Sequence, residues 1–157
     1  MSAANHPIVL QNVVFTRSIV VAIQEFEQGD SPNVEQGPTN KLDVAPLEGQ
    51  PGYYQAIMKS VLNPKGEKTS RYLIDMECVG IFFAAESLAP DEATRGVYIT
   101  AHSVLYGAIR ESVAWLTGRQ PWGPLLLGLS VLQSKPAAGE QTATTPPNPP
   151  LPASGSV

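Results

Sequence analysis

Few residues in this 157-residue chain have both the type and the spacing to do chemistry. The lone cysteine, Cys78, sits in an apolar run with no histidine or second cysteine beside it. A nucleophilic thiol needs an activating base and an electropositive setting, so a buried, inert thiol is the better reading. His6 and His102 stand far apart in sequence, neither at metal-ligand spacing. His102 is expected on a helix surface or an interface. Asp75 and Glu77 share one face of a strand pattern and form a carboxylate pair without the supporting groups that acid–base catalysis requires. Arg110 and Glu111 are adjacent in a helical pattern, where neighbours point about 100° apart and cannot grip one ligand together. A structural ion pair to another element is expected there. This inventory argues against an enzyme, and no cofactor is implied.

Composition narrows the classes further. Apolar residues make up 43% of the chain, enough for one globular core. A net charge of -4 provides no basic field to neutralise phosphates, so nucleic acid is excluded as an expected partner. The apolar runs fall far short of the ~20 residues that cross a bilayer. The N-terminal residues lack the basic start and apolar stretch of a secretory signal. The expectation is a cytoplasmic protein with no membrane insertion.

The elements follow from periodicity. Residues 8–26, rich in Val, Ile and Phe, predict a long, bulged first strand. Gly29, Asp30, Ser31, Pro32, Gly37 and Pro38 then predict a long crossover. Residues 41–44 alternate polar and apolar, which predicts a short second strand with Leu42 and Val44 on one face. Residues 53–62 and 72–83 form a predicted hairpin around Asn63-Pro64-Lys65-Gly66. In its second strand Tyr72, Ile74, Met76, Cys78, Gly80 and Phe82 make an apolar face, and the opposite face is mixed. After Pro90 the period becomes 3.6, with Tyr98, Leu105, Ile109, Val113 and Leu116 along one stripe. Gly118 is expected to stop the helix in a left-handed cap, with Pro121 beyond it. Pattern alone leaves residues 125–132 open between strand and helix. Residues 134–157 carry six of the fifteen prolines and predict a disordered tail behind a domain of residues 1–133. The fold class is therefore α+β: a four-stranded antiparallel sheet with a long crossover after strand one, packed with one long C-terminal helix.

That order of elements resembles the bacterial SecB chaperone family, and short motifs carry the resemblance. Residues 15–19, Phe-Thr-Arg-Ser-Ile, are similar to the family's first-strand motif, and Gly80-Ile81-Phe82 resembles its strand-four ending. Residues 106–111, Tyr-Gly-Ala-Ile-Arg-Glu, through Leu116-Thr117-Gly118-Arg119 resemble its helix motif, and Pro124 with the following leucines resembles its exit from the helix. The resemblance implies a homotetramer, a dimer of dimers, that holds unfolded polypeptide clients without ATP, for export or against aggregation. It also implies subunit contacts at Phe15, Ile74, Met76 and Cys78, to which the helix stripe adds Leu105 and Ile109. Leu73 and Asp75 match a pair with which family members dock the SecA motor. The acidic strand-one positions of that patch correspond to Ser18 and Ala22, and Pro136 stands where a second helix would run. The ending is closer to the solitary SecB-like chaperones that protect an antitoxin. A holding chaperone presents apolar surface on extended elements. The candidate client contacts are Phe26 at the crossover, Leu42 and Val44 on strand two, and Trp122, Leu125, Leu127 and Leu129 after the helix. Trp122 and the leucine run have an alternative role, closing the protomer's own core. A self-assembling adaptor and a small-ligand binder are the rival functions.

Overall fold

The structure, a computed structural model, describes residues 6–27 and 37–132. The tail from residue 134 and most of the crossover, Gly29 to Asn33 included, lie outside the described residues. Four strands and one helix follow in chain order: β1 (Ile8–Ala22), β2 (Thr39–Pro46), β3 (Tyr53–Leu62), β4 (Tyr72–Ala84) and α1 (Pro90–Thr117). The strands form one antiparallel sheet in the order β1-β4-β3-β2, so the crossover carries the chain from one edge to the other.

β1 is bulged at two places, between Leu10 and Asn12 and between Phe15 and Arg17. Each bulge inserts one unpaired residue and resets which side chains face which side. Simple alternation therefore fails along this strand. The register puts Ile8, Leu10, Val13, Phe15, Ser18, Val20 and Ala22 on the face shared with Ala84, Phe82, Gly80, Cys78, Met76, Ile74 and Tyr72. The β3–β4 turn forms as the sequence requires. The amide of Gly66 donates to the carbonyl of Asn63 at 3.0 Å. Asn63 adopts φ 49°, a left-handed conformation that asparagine tolerates, and its Oδ1 accepts from the Glu67 amide.

β4 alternates between buried and half-buried at every residue, because α1 covers only one face of the sheet. The helix buries every fourth residue from Ala93 through Val97, Ala101, Leu105, Ile109 and Val113 to Thr117. Tyr98, predicted within this stripe, is exposed, and Leu116 is half-buried. Gly80 permits the closest approach of helix to sheet. A Cβ there would lie 2.6 Å from Phe82 Cε2 and 2.9 Å from Leu105 Cδ2.

This packing corrects the expected subunit contacts. Ile74, Met76, Cys78, Leu105 and Ile109 are 0% exposed within a single protomer and keep no surface with which to touch another. The all-apolar face of β4 is the protomer's own core, sealed by α1. Phe15 is the exception, 38% exposed on β1. The helix end also differs from expectation. Gly118 is right-handed, at φ −59°, and the left-handed turn falls later, at Gly123 with φ 74°.

The two sheet edges are unlike. β2 is short, carries the Lys41–Asp43 ion pair and ends in Pro46, all of which discourage strand addition. β1 is 15 residues long and exposes Val9, Leu10, Val14, Phe15, Ile19 and Val21.

Candidate functional site

Past the helix the chain turns back and lies along α1 as a strap. Residues 124–132 form neither strand nor helix. Gly123 makes the turn, and its carbonyl accepts from the buried Tyr72 hydroxyl at 2.6 Å. The Leu125 amide donates to Thr117 Oγ1 at 2.8 Å, which fixes the strap's root to the last turn of the helix. Trp122 is pinned just ahead of this root. Its Nε1 donates to the Ile23 carbonyl at 2.9 Å, and its ring meets Phe26 edge-on at 5.5 Å.

A second stripe of α1 then holds the strap. His102, Tyr106 and Arg110 each follow a sheet-facing residue by one position, about 100° round the helix. Arg110 Nε donates to the Leu127 carbonyl at 2.8 Å, and the Tyr106 hydroxyl donates to the Gly128 carbonyl at 2.8 Å. His102 Nε2 and Ser130 Oγ share a hydrogen bond of 3.0 Å. From residue 110 to 102 the helix falls by about 12 Å. Three residues of strap can match that only if nearly fully extended, at roughly 10 Å plus the reach of the side chains. The strap thus runs antiparallel to α1, and its burial alternates: Leu125 and Leu127 are 4% exposed, whereas Leu126, Leu129 and Val131 are 78–84% exposed.

At Ser130 and beyond, a groove of about 240 Å³ opens between strap, helix and sheet. Leu42 and Met58 line it from the sheet, Tyr98 and His102 from the helix, and Val131 and Leu132 from the strap. Small-molecule pockets enclose ~300–1,000 Å³, so this groove suits one or two side chains better than a cofactor.

The candidate residues distribute as follows. Leu42 lines the groove, and Leu129 stands exposed on the strap close by in sequence. Val44 is half-buried against the core, outside the groove lining. Phe26 and Trp122 meet at the strap's other end. Leu125 and Leu127 belong to the protomer core, which is the alternative role weighed for them. His102 is not on the helix surface: it is 8% exposed, under the strap and stacked on Tyr106. Arg110 grips a backbone carbonyl where an ion pair was expected. Sequence reasoning passed over Asn40, Met58, Tyr98, Tyr106 and Thr117. The polar i, i+4 stripe of His102, Tyr106 and Arg110 beside an apolar one was the available signal.

The motor-docking pattern does not assemble. Leu73 and Asp75 face away from the helix, while Ser18 and Ala22 share the helix-facing side, opposite Met76 and Tyr72. Asp75 is engaged by Arg17 at 2.9 Å, which holds the guanidinium yet more firmly protonated. No group of three or more His, Cys, Asp or Glu able to hold a metal occurs among the described residues. Burial pushes the Cys78 thiol up to about 11, leaving it without thiolate at neutral pH. No helix among the described residues is long and apolar enough to cross a membrane.

Solved structures supply the comparison. The chain is similar to a SecB-like chaperone. That protein, Rv1957 of Mycobacterium tuberculosis, was solved in complex with a ChAD peptide from the Rv1956 HigA1 antitoxin. It is 21% identical, with a TM-score of 0.49, over 79% of this chain and 91% of that one. A protein of unknown function from Streptococcus agalactiae is 12% identical, with a TM-score of 0.54, over 78% of this chain and 97% of that one. The latter likeness shows that the sheet-and-helix arrangement is shared. No family model matches the sequence, and neither does any curated protein.

Proposed function

We propose that this chain is an ATP-independent holding chaperone that binds unfolded polypeptides along the strap and groove and has no catalytic role. One observation carries the reading: α1 covers a single face of the sheet, and the protomer is left with large apolar residues on β1 and on the strap at 38–84% exposure. Exposed apolar side chains gathered on one edge strand and one strap are the kind of surface by which proteins meet partners. The motifs shared with the SecB family support the same reading. Leu42, Leu129, Tyr98 and Val131 are the proposed client contacts at the groove, with Phe26 and Trp122 at the strap's other end and Val44 two residues along β2 from Leu42. A fully buried apolar side chain contributes about 1.5–3 kcal/mol, and ordering a floppy client takes back much of it, so one groove binds weakly. Several grooves in a homotetramer, a dimer of pairs joined through Phe15 and its neighbours on β1, raise the effective affinity by local concentration.

An antitoxin-dedicated chaperone is the narrower version of the same reading. It is supported by Pro136, which stands in the sequence where export chaperones of the family continue into a second helix, and by the failure of Leu73 and Asp75 to meet acidic partners on β1. Delivery to a motor such as SecA has no comparable support. A self-assembling adaptor is the second reading, favoured by the apolar exposure of β1 alone. The test is light scattering of a chemically denatured, unrelated protein diluted into buffer without nucleotide. A holding chaperone suppresses aggregation at near-stoichiometric ratio, and Leu42→Ser with Leu129→Ser weakens that suppression severalfold. Undiminished aggregation in the presence of a well-folded oligomer leaves the adaptor reading in its place.

A further inference from the structure

The bonds between α1 and the strap have an unusual composition. Arg110 and Tyr106 take hold of two consecutive carbonyls, those of Leu127 and Gly128, and neither bond depends on which side chains the strap carries. Side-chain selectivity enters through position, since Leu125 and Leu127 are buried and Leu126 between them is not. We infer that Tyr106 and Arg110, flanked by His102 on a side-chain hydroxyl, form a main-chain-reading site for extended polypeptide, which residues 124–132 occupy as a built-in competitor until a client displaces them. The ligand class is an extended segment with apolar residues two positions apart, held by carbonyls that every peptide possesses. This deepens the holding-chaperone reading and rests on it.

Three features make the strap displaceable. No strand ladder holds it: the Leu125 amide and the Leu127 and Gly128 carbonyls are met by side chains of Thr117, Arg110 and Tyr106. Leu126, Leu129 and Val131 face outward and contribute little to its seating. The groove lies beside Val131 and Leu132, at the end farthest from the root, where an incoming apolar side chain gains a first foothold. Displacement then proceeds toward Thr117, each step exchanging a strap contact for an equivalent client contact.

The test uses the full chain and a fluorescein-labelled peptide of residues 124–132. Leu127→Ser removes one buried anchor of the strap while leaving His102, Tyr106 and Arg110 intact. The labelled peptide binds the L127S chain at least roughly tenfold more tightly than the unaltered chain, whose tethered strap competes at an effective concentration of about millimolar. Equal affinity for the two chains overturns the proposal. If L127S does not melt cooperatively, the unaltered chain decides through hydrogen exchange with reduced, alkylated lactalbumin as a permanently unfolded client. The Leu125 amide, protected by Thr117 Oγ1, exchanges severalfold faster in the complex if the strap has been lifted, and unchanged or slower exchange overturns the proposal. Lactalbumin held with the strap still seated removes this proposal alone. Lactalbumin held by neither chain removes the holding reading and this proposal with it.

Discussion

Replacing Thr117 with valine isolates the bond that roots the strap. The side chain is 0% exposed, its hydroxyl donates to the Val113 carbonyl at 2.6 Å, and its oxygen accepts from the Leu125 amide at 2.8 Å. Valine fills nearly the same space without the hydroxyl. The Val113 carbonyl still receives the helical amide four residues on, so its loss is small. The Leu125 amide has no such substitute and becomes a buried donor without an acceptor, at a cost of about 1–3 kcal/mol. The added methyl returns little, because carbon cannot approach nitrogen and oxygen as closely as the hydroxyl does. The expected loss therefore stays near 1–3 kcal/mol, or roughly 5- to 150-fold faster exchange at the Leu125 amide. Thr117→Ser keeps the acceptor and loses one buried methyl, a change of about 0.8 kcal/mol before any cavity term. Hydrogen exchange read residue by residue separates the two: T117V accelerates Leu125 selectively, and T117S does not. Equal protection of Leu125 in T117V and the parent refutes the assignment of this hydroxyl as the strap's root.

Three other outcomes are expected. Gly80→Ala loses about 1–2 kcal/mol in urea unfolding, since its methyl overlaps Phe82 and Leu105 inside a sealed core. Gly107→Ala, on an exposed helix position with nothing within 4 Å, gains about 0.5–1 kcal/mol; a reversed order of the two contradicts the helix–sheet packing. For Cys78 the folded-state pKa is raised from 9.0 to about 11, so the native state holds its proton more tightly than the unfolded chain. Stability from this group is fully present below pH 9 and is lost as pH rises from 9 toward 11. The fall in urea midpoint across that window is smaller in Cys78→Ala, and identical slopes for the two chains contradict the burial argument. Phe15→Asp places a charge on exposed β1 and reduces the assembled species seen by analytical ultracentrifugation, with the far-ultraviolet spectrum preserved; unchanged assembly removes β1 from the proposed interface.

The elements were legible where one period governs. β3, β4 and α1 follow from strict alternation and from the four-residue stripe, and the Asn63–Gly66 turn from residue type. β1 was placed at its start but drawn four residues too long, because Phe26 is apolar for another reason, its edge-on packing against Trp122. The apolar face of β4 was found correctly and assigned to the wrong neighbour. An apolar face records that something covers it, and only the path of α1 tells that the cover is internal. The candidate site was half legible. Leu42 and the leucine run stood out by hydropathy, whereas Tyr106 and Arg110 were marked only by a polar i, i+4 stripe, and Thr117 acts through a single hydroxyl that no periodicity announces.

The unlike margins of the sheet set a limit on how many copies can join by strand addition. Only the β1 border is long and greasy enough to accept a neighbour; the β2 border repels one with charge and proline. When two chains meet border to border about a twofold axis, both receptive margins are consumed and two unreceptive ones point outward. Growth by this route terminates at a pair, so the same protein can show a sticky flank and still not string itself into fibrils.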